Sequence, residues 1–247
     1  MKPYIIKKIA ILLLLPIITT AQNNIIKTNL CGLALKNYNL TYERSIARIV
    51  SLSVGIRYMP KSTAPLKSTI EKIVDNQDFK INDFKMGNTA ITGEARFYLG
   101  IKKMRGFYLA PYLRYAKFDF TIPIKNPNIT TGESILFNGK ISSFSGGLLL
   151  GMQYCILKKF VIDIWTIGGH YGSSHGTLFA SNINPIMDES SQGSQAKIDL
   201  QKTLDNLNDT GPFKFEGKVT SPTTAEIKSS GPWFGLRSFA LSIGYRF

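Results

Sequence analysis

The chain has 247 residues, 44% of them hydrophobic, and 30 Lys and Arg against 16 Asp and Glu give it a net charge of +14. A mean hydropathy of +0.00 excludes both a disordered polyelectrolyte and a bundle of membrane helices, and the length suits one domain. Two cysteines, Cys31 and Cys155, exclude a disulfide framework. The positive charge invites a nucleic-acid partner, but the basic residues are scattered and follow an export signal, so no nucleic acid is expected.

That signal comes first. Lys2, Lys7 and Lys8 precede the apolar run Ile9 to Ile18, which Thr19, Thr20, Ala21 and Gln22 follow. A basic segment, a short apolar segment and small residues predict a cleaved signal peptide over 1–21 and a mature domain over 22–247. The run contains Pro16 and is about half the roughly 20 residues of a spanning helix. No cysteine stands beside the cleavage point to take a lipid anchor.

From Ile25 onward, alternating β-branched and aromatic residues recur between turn signals without sustained helical periodicity. The pattern predicts eight strands, at 25–34, 38–46, 49–59, 88–100, 106–121, 140–156, 160–171 and 233–247. Pro111 and a change of apolar phase near Ala116 and Lys117 predict a bulge in the fifth. Connections at Ala47–Arg48, Lys102–Arg105 and Lys158–Lys159 are short, while 60–87, 122–139 and 172–232 are long. Short turns at one rim and long loops at the other are the arrangement of an up-and-down membrane barrel. Arg44, Arg48, Lys102, Lys103, Arg105, Lys158 and Lys159 gather at the short turns, suited to anionic headgroups. In the longest loop, Ile198, Leu200, Leu204 and Leu207 have rough helical spacing; one or two helical turns that plug or cap the barrel compete there with an exposed surface loop.

The two faces of the strands differ consistently. Val50, Leu52, Val54, Ile56 and Tyr58 oppose Ser51, Ser53, Gly55 and Arg57, and the final segment sets Phe239, Leu241, Ile243, Tyr245 and Phe247 against Ala240, Ser242, Gly244 and Arg246. Charges midway along strands fix the orientation. Glu43, Arg57, Glu94, Arg96, Arg114, Asp163 and Arg246 would each be costly in a dry core, and an arginine facing midplane lipid costs roughly 2–4 kcal/mol. All seven are therefore assigned to a luminal, ion-paired network in an eight-stranded interior only wide enough for side chains. Tyr58, Phe107, Tyr108, Phe118, Phe120, Phe160, Tyr171, Trp233, Phe234, Tyr245 and Phe247 lie near strand ends and are read as interfacial girdles.

These residues support a family resemblance. Lys27–Leu30, Asn39–Arg44, Gly55–Pro60, Tyr108–Tyr112, Gly169–Gly172 and the terminal Gly244–Phe247 resemble the small, uncharacterised outer-membrane barrels of Bacteroidetes-type bacteria, similar in architecture to OmpA and OmpX. The resemblance implies an all-β, eight-stranded antiparallel up-and-down transmembrane barrel with long extracellular loops. It also implies that the outer-membrane assembly machinery recognises the terminal strand through Phe239, Leu241, Ile243, Tyr245 and Phe247. It implies no activity.

Hidden chemistry has one candidate region. His170, Ser173, Ser174 and His175, with Glu133 or Asp188 as the acid, contain the residue types of a lipid esterase or acyltransferase. No nucleophile-elbow motif accompanies them, and two histidines without cysteine partners do not make a metal site. The expectation is a monomeric, non-enzymatic outer-membrane protein of structural or surface-interaction type. It needs no cofactor, has outer-membrane lipids and the assembly machinery as partners, and leaves any extracellular partner unspecified. A lipid-modifying enzyme and a narrow pore are the alternatives.

Overall fold

Strand side chains alternate between faces, and every strand here must satisfy both an apolar row and a polar row. A computed structural model describes residues 23–63, 84–125, 134–180, 197, 198, 200–202, 204, 205, 214–221 and 224–247. The predicted leader, Glu133, Asp188 and Leu207 lie outside these residues.

The strands are β1 (Asn24–Asn29), β2 (Tyr38–Ser45), β3 (Val50–Thr63), β4 (Lys85–Tyr98), β5 (Gly106–Lys125), β6 (Ser134–Ile156), β7 (Phe160–Ala180), β8 (Lys214–Ser221), β9 (Thr224–Arg237) and β10 (Ala240–Arg246). Neighbours from β1 to β7 pair antiparallel in sequence order, and β10 joins β7 to β1. Eight strands thus close an up-and-down ring. Asn24 and Phe247 exchange backbone hydrogen bonds at the short-turn rim. β9 and β8 lie outside the ring, extending the sheet from the upper half of β7.

Several sequence expectations change. The first strand ends at Asn29, whose side chain accepts from Gly32 N at 2.8 Å and caps a short helix, α1 (Leu30–Ala34); Asn is favoured at such a cap. The loop expected over 172–232 contains the end of β7, all of β8 and most of β9. The strand expected over 233–247 breaks at Ser238 and Phe239 into β9 and β10.

The bulge expected near Ala116 and Lys117 is absent: β5 keeps one register with β4 and with β6 through that region. What changes is the polarity of the surroundings. Up to Tyr115 the outward side chains of β5 are apolar, whereas beyond it Lys117 points outward, and the inward Phe120 and Ile122 pack on a cluster around Ile135, Phe137, Leu178 and Ile227. Pro111 leaves a different trace. The β4–β5 ladder lapses between Glu94–Tyr112 and Phe97–Leu109, where proline has no N–H to give.

The upper cluster receives the helical turns expected in the long loop. Residues 197, 198, 200–202, 204 and 205 are helical, and Leu200 and Leu204 are fully buried while Ile198 stays exposed. Gln201 Nε2 donates to Gly217 O and Val219 N donates to Gln201 Oε1, each at 3.0 Å. A Cβ on Gly217 would stand 2.5 Å from Leu204 Cβ, so glycine lets helix and strand approach. The helix therefore covers the inward face of the sheet extension above the ring.

Leu204→Ala removes a fully buried side chain and is expected to cost about 2–5 kcal/mol. Amide exchange should accelerate in β8 and β9 while protection in β2 and β3 is unchanged; equal acceleration throughout would contradict this separation.

Candidate functional site

The inward rows of the ring stack in layers. Near the short turns, Ile25, Tyr98, Met104, Tyr108, Leu149 and Val161 form a buried apolar layer. Met104 has φ 50° in its tight turn, which tucks its side chain under the barrel to 1% exposure. Its carbonyl accepts from Gln153 Nε2 at 3.0 Å.

Above this lies a buried ionic cluster. Lys27 donates to Glu43, to Asp163 Oδ2 at 2.7 Å and to Gln153 Oε1 at 2.7 Å. Arg96 Nη1 meets the same Asp163 oxygen at 2.7 Å, its Nη2 meets Glu94 at 2.7 Å, and Glu43 lies 3.3 Å away. Tyr98 Oη donates to Glu43 at 2.6 Å, Tyr108 Oη to Asp163 at 2.7 Å and Ser51 Oγ to Glu43 at 2.6 Å. Arg237 reaches Glu94 Oε1 at 3.2 Å and stacks on Tyr112 and Trp165, 4.7 and 4.3 Å from the ring centroids. Lys27, Arg96 and Arg237 balance Glu43, Asp163 and Glu94. Such pairing is what makes buried charge tolerable.

Toward the long-loop rim, the lumen widens into a cavity of about 280 Å³ whose walls include Arg57, Arg114, Trp165, His170, Trp233 and Arg237. Arg57 binds Asn88 Oδ1 through Nε at 2.9 Å and also through Nη2. Arg114 Nη1 lies 3.4 Å from Thr92 Oγ1. His170 Nδ1 shares a 3.0 Å hydrogen bond with Tyr112 Oη. A Cβ on Gly235 would come within 2.7 Å of the His170 ring, so that glycine gives the imidazole its place.

Comparison with known proteins gives a family. A sequence pattern described as "Protein of unknown function (DUF3575)" matches residues 8–193. The chain belongs to this DUF3575 family. No curated protein matches the sequence. Among solved structures, the N-terminal β-barrel domain of Pseudomonas aeruginosa OprF is 11% identical, with 92% of this chain and 100% of that chain covered, at a TM-score of 0.35. The overlay is loose, and the barrel assignment rests on the strand ladder itself.

The seven charges expected in one luminal network of the DUF3575 chain fall into three places. Glu43, Glu94, Arg96 and Asp163 meet in the ionic cluster. Arg57 and Arg114 face inward but line the cavity above it. Arg246 sits on the inward side of β10 at the short-turn rim, beside Cys155 with Nη1 to Sγ at 3.7 Å. Cys155 and Cys31, on α1 at the other rim, are both free thiols.

Sequence reasoning left Lys27, Gln153 and Arg237 out of the network. Two phase changes conceal the last of these and the place of His170. Thr166 is an extra residue between Trp165 and Ile167 opposite Leu150 and Gly151, so Asp163 and His170 both face inward despite their opposite parity. The gap at Ser238 and Phe239 does the same for Arg237 and Ser242.

The girdle assignment also needs correction. Tyr108 is buried and bonds Asp163, Phe118 packs against Trp233 at 4.9 Å on the inward side, and Phe120 joins the upper cluster. The outward aromatics Tyr58, Phe107, Phe160, Tyr171, Phe234, Tyr245 and Phe247 remain exposed.

Of the candidate catalytic residues, His170 bonds Tyr112, Ser174 Oγ lies 3.4 Å from Gly231 O, and Ser173 and His175 are on the opposite face of β7. Among the described residues, no serine hydroxyl meets a histidine.

Removing Glu43 alone strands Lys27 and Arg96 beside Asp163 as the remaining shared acid. Glu43→Ala is expected to lower barrel stability by about 3–5 kcal/mol, read as the urea midpoint of unfolding in lipid vesicles. Lys27→Met combined with Glu43→Leu should recover part of that loss; an additive double loss would show that the pair is not coupled.

Proposed function

We propose that this DUF3575 chain is an integral outer-membrane barrel of structural or surface-interaction type, non-enzymatic, with a lumen closed by its own side chains. The observation that carries the reading is the inversion of polarity across the ring wall. Leu113, Leu148 and Ile56 on the outside are 59%, 55% and 54% exposed, while Glu43, Arg96 and Asp163 on the inside are 0% exposed. A water-soluble barrel would reverse this, and so continuous an apolar surface requires an apolar partner. The outward row from Ile91 in β4 to Leu99 just past its end, at about 3.3 Å per residue and a tilt of about 35–45°, is roughly 20 Å tall. That approaches the roughly 25 Å apolar band of outer-membrane barrels.

Other features support the same placement. Exposed Lys102, Lys103, Arg105, Lys158 and Lys159 ring the short-turn rim, where they meet anionic headgroups. The exposed Phe239, Ile243, Tyr245 and Phe247 present the row that barrel assembly would read. The non-enzymatic reading is favoured by the serine and histidine contacts described above, and the closed lumen by the stacking of the apolar layer under the ionic cluster.

The wild-type protein should migrate anomalously before heating and give no discrete conductance steps in a planar bilayer. Arg96→Ala, which removes the side chain touching Glu43, Glu94 and Asp163, should introduce brief openings. Stable wild-type conductance would contradict the closed lumen, and recovery of the mature chain as a soluble monomer would contradict the membrane placement.

A further inference from the structure

Taken pair by pair, the luminal charges leave a remainder. Lys27, Arg96 and Arg237 are matched by Glu43, Asp163 and Glu94. Arg57 and Arg114 have no carboxylate partner among the described residues; Arg57 is held by the Asn88 amide and Arg114 by a long contact to Thr92. Both line the same cavity as Arg237. Arg114 is 8% exposed, and its Nη2 has no hydrogen-bond partner among the described residues. Trp165 Nε1, a second donor without a partner, belongs to the same cavity wall. Buried donors without acceptors are uncommon and costly, and spare guanidinium charge adds to that cost. An anion with several acceptor oxygens removes both penalties at once.

Among the described residues, the wall beside this cavity is interrupted. β8 pairs with β9 as far as Ser230, and from Gly231 to Arg237 the described ladder of β9 runs to β7 alone. β1 has ended at Asn29, α1 packs against β10 and β2, and residues of α1, of β2 and of this stretch of β9 line the cavity together. On the outward side of β9, Phe234 and Leu236 are 63% and 85% exposed. An apolar approach from outside thus leads through the wall to a cationic chamber. The chamber's 280 Å³ falls just under the about 300–1,000 Å³ of pockets that enclose whole drug-sized ligands. It takes a headgroup, with the chains left outside.

We infer that this vestibule binds the phosphate head of a membrane lipid, which enters laterally between β9 and α1 and lies against Arg114 and Arg57. A phosphomonoester carries close to two negative charges and three strong acceptor oxygens, matching two spare guanidiniums, and arginine pairs with such groups through paired N–H donors. The inference rests on the bilayer placement proposed above and adds a ligand to it.

The sequence contains two tryptophans, Trp165 and Trp233, and both line the chamber, so intrinsic fluorescence reports on it directly. The full mature chain is inserted into phosphatidylcholine vesicles carrying increasing phosphatidic acid, with diacylglycerol and inorganic phosphate as separate arms. Phosphatidic acid should give a saturable change in emission and diacylglycerol none. Inorganic phosphate should act roughly tenfold or more weakly, and Arg114→Gln and Arg57→Gln should each weaken the lipid response by a similar factor, the scale of one charge-assisted hydrogen bond. No saturable change in the wild type, an equal response to diacylglycerol, or equal affinity for free phosphate would overturn the inference. So would unaltered binding in variants that still insert and shift on heating. Wild-type insertion without a lipid response refutes the site and leaves the barrel standing, whereas failure to insert refutes both.

Discussion

Lys27 and Arg96 each carry a full charge at a depth where exposure is 3% and 0%, and the barrel is arranged so that neither is left unpaired. Desolvating such groups costs several kcal/mol each, and only close opposite charge with further hydrogen bonds offsets it. Glu43, Asp163 and Glu94 come from three strands, and Tyr98, Tyr108, Ser51 and Gln153 occupy further acceptor or donor positions. All seven strands from β1 to β7 contribute. No two-strand hairpin assembles this set; the ring must close before the charges are satisfied. The cluster therefore couples register to closure, because a slip of one residue would send its charges outward.

Much of this was legible in alternation. Glu43, Arg96 and Asp163 stand opposite clean apolar rows, so their common face follows from a period of two and the cost of charge in lipid. Lys27 was less visible because Ile25 lies inward and Ile26 outward, which removes the contrast between faces in a strand of six residues. Arg237 and the inward position of His170 went unread for a geometric reason. Thr166 in β7 and the break at Ser238 and Phe239 stand opposite one another, and each reverses the parity of the residues beyond it. The sequence marks neither with proline or glycine at the point of reversal.

In the upper part of the molecule one alternation meets two kinds of surroundings. Inward side chains are polar at the level of the ionic cluster and apolar above it, where Leu200 and Leu204 pack on Phe137, Leu178 and Ile227. Outward side chains reverse in the opposite sense, from Tyr115 to Lys117 and from Phe144 to Lys140. A change of phase read from sequence is, in β5, a change of surroundings along an unbroken strand. The helical spacing of Leu200 and Leu204 was a sound signal because burial on one side, rather than intrinsic propensity, holds so short a helix.

The claim on which the rest depends is that the ring is apolar outside and charged inside within a bilayer. Nitroxide labels at single cysteines test it most directly, placed at the outward Leu113 and Leu148 and the inward Thr92 and Ser145 in a Cys31→Ser, Cys155→Ser background, with the protein in vesicles. The outward labels should collide readily with dissolved oxygen and poorly with a water-soluble nickel chelate, while the inward labels should be shielded from both. Outward labels as accessible to the chelate as a label on an exposed turn would contradict the account.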